Sequence, residues 1–218
     1  MKKFFKRIDD FFFGKLQNHY ARELEKAVSD CKTLLDVGCG SDSPIKYFSK
    51  KMHCVGVDAY EPSIQRSREK GIHNDYTLMN VMDIYPAFPE KSFDAVIASD
   101  LIEHLKKEDG YKLIDMMEKI AAKKVIIFTP NGFLEQRAYD GNELQVHLSG
   151  WEIDEMRKRG YHVTGINGWK KLRGEFAEAK WKPKVFWGRI SLMSQWFTTR
   201  NPTHAFSILC VKKMDGAA

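Results

Sequence analysis

Residues 33–43 read TLLDVGCGSDS and residues 53–58 read HCVGVD. In each, a short apolar run ends in an acid, and the first then breaks into Gly38 and Gly40. This is the pattern of a buried strand, a tight glycine turn, a short helix and a second strand. A backbone that passes close to a ligand needs residues without side chains, so Gly38 and Gly40 suit a nucleotide-sized cofactor. Asp58 stands 20 residues beyond Gly38. At the end of the second strand its carboxylate can accept hydrogen bonds from both hydroxyls of a ribose.

The same alternation continues outward. Residues 77–81, 93–98, 124–129, 161–166 and 205–212 read as strands. Helices are expected over 44–51 (Ser43 as cap, Pro44 first), 62–70, 101–107, 110–121 and 151–159, the last closed by Gly160. Residues 3–29 read as helix, with Phe4, Ile8, Phe11 and Phe12 at helical spacing and a break near Gly14. Strands alternating with helices predict a parallel sheet covered on both faces, with its ligand beyond the carboxyl ends of the strands. Asp36, Asp58, Asp83, Ser99 and Asp100 all fall at such ends.

Composition narrows the classes. The 218 residues fit one domain with additions, and the net charge of +6 permits an anionic partner without requiring one. Cys31, Cys39, Cys54 and Cys210 form no CxxC pair. They read as reduced core thiols of a cytoplasmic protein, so neither a disulfide framework nor a metal is expected. No segment carries the ~18 apolar residues of a membrane span. The start of the chain, interrupted by Lys6, Arg7, Asp9 and Asp10, does not read as a signal peptide.

The series Asp36-Gly38-Gly40, Asp58, Asp83 and Asp100-Glu103-His104 resembles the class I methyltransferases that use S-adenosylmethionine. Within them it looks most like the small-molecule, ubiquinone-biosynthesis-like branch called methyltransferase type 11. The resemblance covers residues 31–130 and departs from the family where Asp42 replaces a third glycine. It implies a doubly wound α/β fold with a mostly parallel seven-stranded sheet and an antiparallel last strand. An N-terminal helical lid (1–30) would precede the methyltransferase domain (31–218), with a helical insertion (167–204) before the last strand.

The implied cofactor is S-adenosylmethionine, released as S-adenosylhomocysteine. By resemblance, Gly38 and Gly40 pass under its methionine and ribose portions, and Asp36 helps hold the ammonium. Asp58, with Ala59 beside it, takes the ribose hydroxyls. Asp83 accepts from the adenine amino group, with Met82 near the ring, and Ser99 and Asp100 lie near the reactive methyl. His104 is the first candidate for a general base, since imidazole titrates near neutrality. His147, in a His-Leu-Ser segment of the kind found before the pocket-closing helix, is the second, with Ser149 expected to cap a helix starting at Trp151.

A small-molecule acceptor is the leading reading. An RNA or protein methyltransferase is the alternative that the pI near 9.0 permits. The chain has no dedicated nucleic-acid-binding domain, and SDLI stands where amino-directed enzymes carry an Asn-Pro-Pro-Tyr-type tetrapeptide. A non-catalytic protein that only binds the cofactor is the third reading and a nicotinamide oxidoreductase the fourth. Two aromatic, basic stretches, 4–16 and 185–197, are expected to pack on the domain as a pocket lid. In the second, Phe186, Ile190, Met193 and Phe197 share one helical face. The alternative use of both is a peripheral contact with a membrane or a lipid substrate.

Overall fold

The computed structural model describes residues 19–138, 143–174 and 178–214. Among them, seven strands form one sheet: β1 (Thr33–Val37), β2 (His53–Asp58), β3 (Asp75–Leu78), β4 (Phe93–Ser99), β5 (Ala121–Pro130), β6 (His162–Trp169) and β7 (Ala205–Lys213). Their order is β3-β2-β1-β4-β5-β7-β6. The first five are parallel, and β7 lies antiparallel to both β5 and β6. The α-helices are α1 (His19–Ala27), α2 (Glu61–Glu69), α3 (Lys107–Ile120), α4 (Ile153–Lys158) and α5 (Lys184–Arg200), besides a kinked turn at Ile84–Ala87.

The central strands are largely apolar because both their faces are covered. Alternate residues separate cleanly into two cores. Leu35, Val37, Val96 and Ile127 pack with Leu113, Ile114 and Met117 of α3 and with Trp151. Leu34, Ile97, Ile126 and Phe128 pack on the other face with Leu24 of α1 and with Val28. The order reverses between β1 and β4, which opens the crevice at their carboxyl ends. All four cysteines are free and buried, as expected. No helix among the described residues is long and apolar enough to cross a membrane.

Several elements differ from expectation. The segment 44–51 is two 3-10 turns, Pro44–Tyr47 and Ser49–Lys51, rather than one helix. Ser43 does cap the first, accepting from Ile45 N at 3.4 Å. Ile45 and Phe48 are both buried, and the three-residue repeat of a 3-10 turn stacks them on one side. Of 101–107, only Ile102–His104 forms a turn before α3 begins. The Glu103 carbonyl, which a continuing helix would use internally, accepts instead from Leu148 N (2.8 Å) and Ser149 N (3.0 Å). Glu152 rather than Ser149 starts α4, in a capping box with Glu155.

The insertion contributes one long helix, and its docking face reverses the expectation. Ser191, Gln195 and Thr198 are the buried residues of α5. Gln195 donates to Gly165 O (2.8 Å) and accepts from Gly168 N (3.0 Å) on β6. Val185, Phe186, Met193, Trp196 and Phe197 are exposed, Trp196 at 74%. The polar face makes the contact because β6 brings Gly165 and Gly168 against the helix backbone. A Cβ on Gly165 would lie 2.1 Å from Thr198 O, and one on Gly168 2.0 Å from Ser191 O. So close an approach suits the small side chains of Ser191 and Thr198, and the Gln195 amide bonds the strand backbone between them. Residues 4–16 lie outside the described residues.

Candidate active site

The glycine turn is built for close approach. Gly38 (φ +68°) and Gly40 (φ +56°) take left-handed conformations that cost glycine little. A Cβ on Gly40 would meet nothing within 4 Å, although Gly40 lines a cavity of about 650 Å³. A side chain there would project into that space. Asp36, Gly38, Asp58, Ala59, Met82, Ser99, Asp100 and His104 line the same cavity, so most of the residues expected around a cofactor are brought together. Asp83 is exposed and not part of this lining; Asn80 is.

Asp58 holds the turn in shape. Its Oδ2 accepts from Gly40 N and its Oδ1 from Tyr60 N, each at 2.8 Å. A carboxylate has about four lone-pair sites, so two amides leave room for two hydroxyls. Burial raises its pKa, and the two amides oppose that rise. Asp36 is 1% exposed, and its Oδ2 accepts from Ser43 Oγ (2.6 Å) and bonds His73 Nε2 (2.9 Å). This network ties the end of β1 to both flanks of β2. Asp42, at the departure from the glycine pattern, is drawn outward to Lys46 and Lys70.

Asp100 follows β4 with φ +47°, a conformation rare outside glycine and concentrated at functional sites. Its amide donates to Phe128 O at 2.9 Å, and its side chain is open to the cavity. Enclosure by the cavity walls raises its pKa. Glu103 rises well above the carboxylate range, first through burial and then through the charge of Asp100. Oε2 of Glu103 accepts from Thr129 Oγ1 at 2.9 Å, while Oε1 is buried with no partner.

His147 reaches His104 because the backbone of 148–149 is bonded to Glu103. The two rings meet edge-on with centroids 4.8 Å apart. His104 Nδ1 bonds Val146 O at 3.2 Å, and His147 Nδ1 bonds Leu134 O at 2.6 Å. A carbonyl only accepts, so each Nδ1 carries a proton and Nε2 is the bare nitrogen of the neutral ring. Burial lowers both pKa values, that of His104 to about 4 with His147 as a second cause, so both rings are neutral at pH 7. His147 lines a second cavity of about 320 Å³, which shares Asp100, His104 and Gln145 with the first.

Two contributors were not legible in the sequence. Tyr20 of α1 stacks on Phe128, with centroids 3.8 Å apart, and its hydroxyl bonds Ser99 Oγ at 2.5 Å. His73 partners Asp36 from 37 residues away. Neither sits in a local pattern that marks it.

Residues 35–129 match the family model described as a methyltransferase domain. Together with this fold, the match supports a class I S-adenosylmethionine-dependent methyltransferase. Among solved structures, it resembles an S-adenosylmethionine-dependent methyltransferase from Archaeoglobus fulgidus at 16% identity and TM-score 0.60, covering 96% of this chain and 99% of that one. It also resembles magnesium protoporphyrin IX methyltransferase from Synechocystis PCC 6803 with bound cofactor (14%, TM-score 0.53, 92% and 80% covered). A third likeness is to the plantazolicin methyltransferase BpumL with S-adenosylhomocysteine (13%, TM-score 0.54, 98% and 90%). No curated protein matches the chain significantly. The larger cavity fits the cofactor this family uses: a glycine cradle with open space above it, and a fixed carboxylate with spare lone pairs at the end of β2.

Proposed function

We propose that the chain methylates a small-molecule acceptor seated in the second cavity. The observation that carries this reading is the shared wall of Asp100, His104 and Gln145, which sets a cofactor-sized space against a smaller one. The solved structures named above include a magnesium protoporphyrin IX methyltransferase and a plantazolicin methyltransferase, and their diversity fits a fold whose substrate is set outside the common core.

When bound, S-adenosylmethionine supplies an activated methyl and a good leaving group. The protein's part is to bind, align and exclude water. Asp58 takes the ribose hydroxyls and Asp36 the ammonium, while Asn80 and Met82, rather than the exposed Asp83, border the space for the adenine ring. Ser99 and Asp100 border the transferring methyl. The neutral imidazoles of His104 and His147 accept hydrogen bonds from the acceptor and orient its nucleophilic atom. Of the N-terminal segment expected to act as a lid, α1 lies among the described residues, and the reach of its Tyr20 to Ser99 supports a place beside the cofactor site. The exposed apolar face of α5 supports contact with an apolar acceptor or lipid surface.

Calorimetry with S-adenosylmethionine, S-adenosylhomocysteine and NAD in parallel, followed by a labelled-methyl screen of small hydroxyl, amine and carboxylate acceptors, tests this. Binding of the two adenosyl ligands alone, with label entering a small molecule, is expected. Label entering only RNA or protein would replace the acceptor class. Cofactor binding with no transfer to any acceptor would favour a binding protein.

A further inference from the structure

The place where the two cavities meet holds three donors, of which the methyl-transfer reading uses the two imidazoles as hydrogen-bond acceptors and leaves the Glu103 carboxyl without a role. One donor atom from each of Glu103, His104 and His147 lies within 4.8 Å of the other two. Ligands bound at about 2.1 Å to one ion stand up to about 4.2 Å apart, so a modest side-chain adjustment brings the set to bonding distance.

Three further observations point to a ligand. Glu103 Oε1 is buried and has no partner among the described residues, which is costly for a carboxyl oxygen unless something else completes it. The Nδ1 of each histidine is anchored to a backbone carbonyl, which fixes the ring and leaves Nε2 as the donor; metal-bound histidines are held in this manner. The second oxygen of Glu103 is held by Thr129, so the carboxylate too is oriented from behind.

We propose that Glu103, His104 and His147 bind one divalent cation. This departs from the expectation that the chain holds no metal, which rested on its cysteines. Two imidazoles and one carboxylate favour a first-row transition ion over magnesium or calcium, whose preferred ligands are all oxygen. Three protein ligands leave coordination positions open. These lie at the wall of the second cavity, where an oxygen of the acceptor can enter and where a cation eases loss of its proton to water. This role rests on the methyl-transfer reading; the binding of the ion does not.

The test uses the full chain without an affinity tag, stripped with a chelator and free of cofactor. Cobalt(II) is titrated by visible absorption and zinc(II) by calorimetry. One equivalent bound per chain is expected, with Glu103→Gln and His147→Gln each weakening affinity at least about tenfold. His53→Gln, at an exposed histidine paired with Asp75, is expected to leave affinity unchanged. Circular dichroism checks each variant, and His104→Gln gives the same readout should Glu103→Gln fail to fold. No saturable binding, or binding insensitive to Glu103 and His147, would overturn the site. Calorimetry with S-adenosylhomocysteine on the metal-free protein runs beside it: adenosyl binding without metal binding removes the ion alone, and metal binding without adenosyl binding removes the methyl-transfer reading alone.

Discussion

His104 and His147 lie 43 residues apart in the chain, yet their rings meet with centroids 4.8 Å apart. Two hydrogen bonds donated by the backbone N–H groups of Leu148 and Ser149 to the Glu103 carbonyl make the meeting possible. The rings share only the second cavity, since His104 borders both cavities and His147 only the second. His147→Gln is therefore expected to lower turnover by about 10²-fold or more while changing S-adenosylhomocysteine affinity less than about threefold. His104→Gln is expected to affect both. Equal effects of the two substitutions on cofactor affinity would show that the cavities do not divide the labour.

Asp58 carries two duties, and one substitution separates them. Asp58→Ala removes the acceptor for Gly40 N and Tyr60 N, which is expected to cost about 1–3 kcal/mol of stability in denaturant titration. The protein should stay folded, because β2 is held by β1 and β3 on either side. Affinity for S-adenosylmethionine is expected to fall at least about tenfold. Unchanged affinity by calorimetry would remove Asp58 from the cofactor site.

The sheet and its rim were legible because parallel strands are buried on both faces and end in turns with strong local chemistry. Gly38, Gly40, Asp58 and Asp100 declare themselves by residue type and spacing. His73 and Tyr20 do not, since each reaches the site across a long stretch of chain and an ordinary helix or loop surrounds it. The face of α5 was misread for a related reason. An apolar stripe is normally the buried one, but Gly165 and Gly168 on β6 admit a helix backbone so closely that only Ser191, Gln195 and Thr198 fit. Periodicity reports the character of a face and not the space waiting opposite it.

That packing predicts unusual sensitivity at two glycines. Gly168 also has φ +70°, so Gly168→Ala adds backbone strain to a Cβ placed 2.0 Å from Ser191 O. A loss of several kcal/mol is expected, enough to lower the thermal midpoint by about 10 °C or more. Gly188→Ala, on α5 where a Cβ meets nothing within 4 Å, serves as the control and is expected to be neutral or stabilising. A mild effect at Gly168 would mean that α5 docks less tightly than its hydrogen bonds indicate.

The thiols give a pH test. Burial disfavours thiolate, and pushes Cys31 up to about 11 and Cys54 to about 12 from an ordinary 9.0, with Cys39 and Cys210 raised further. The folded state thus keeps protons that the unfolded chain releases above pH 9. Stability is fully retained below that pH and falls as pH rises beyond it. None of the four should react with a thiol reagent at pH 8 in the native protein, and all four should after unfolding. Rapid native labelling at Cys39, beside the glycine turn, would show that the turn opens.

The outward face of α5 tests the lipid reading. Phe186, Met193, Trp196 and Phe197 are exposed, with Arg200 lying over the Trp196 ring. Such a face binds an anionic bilayer surface by burying apolar area while basic side chains meet the headgroups. Sedimentation with phosphatidylglycerol vesicles is expected to carry the protein down, less so with Trp196→Ser and Phe197→Ser together, and less so at high salt. Because these side chains are exposed, the double substitution should leave stability within about 1 kcal/mol. Vesicle binding that persists in the variant would move the contact elsewhere, and no binding at all would leave the face to an apolar acceptor.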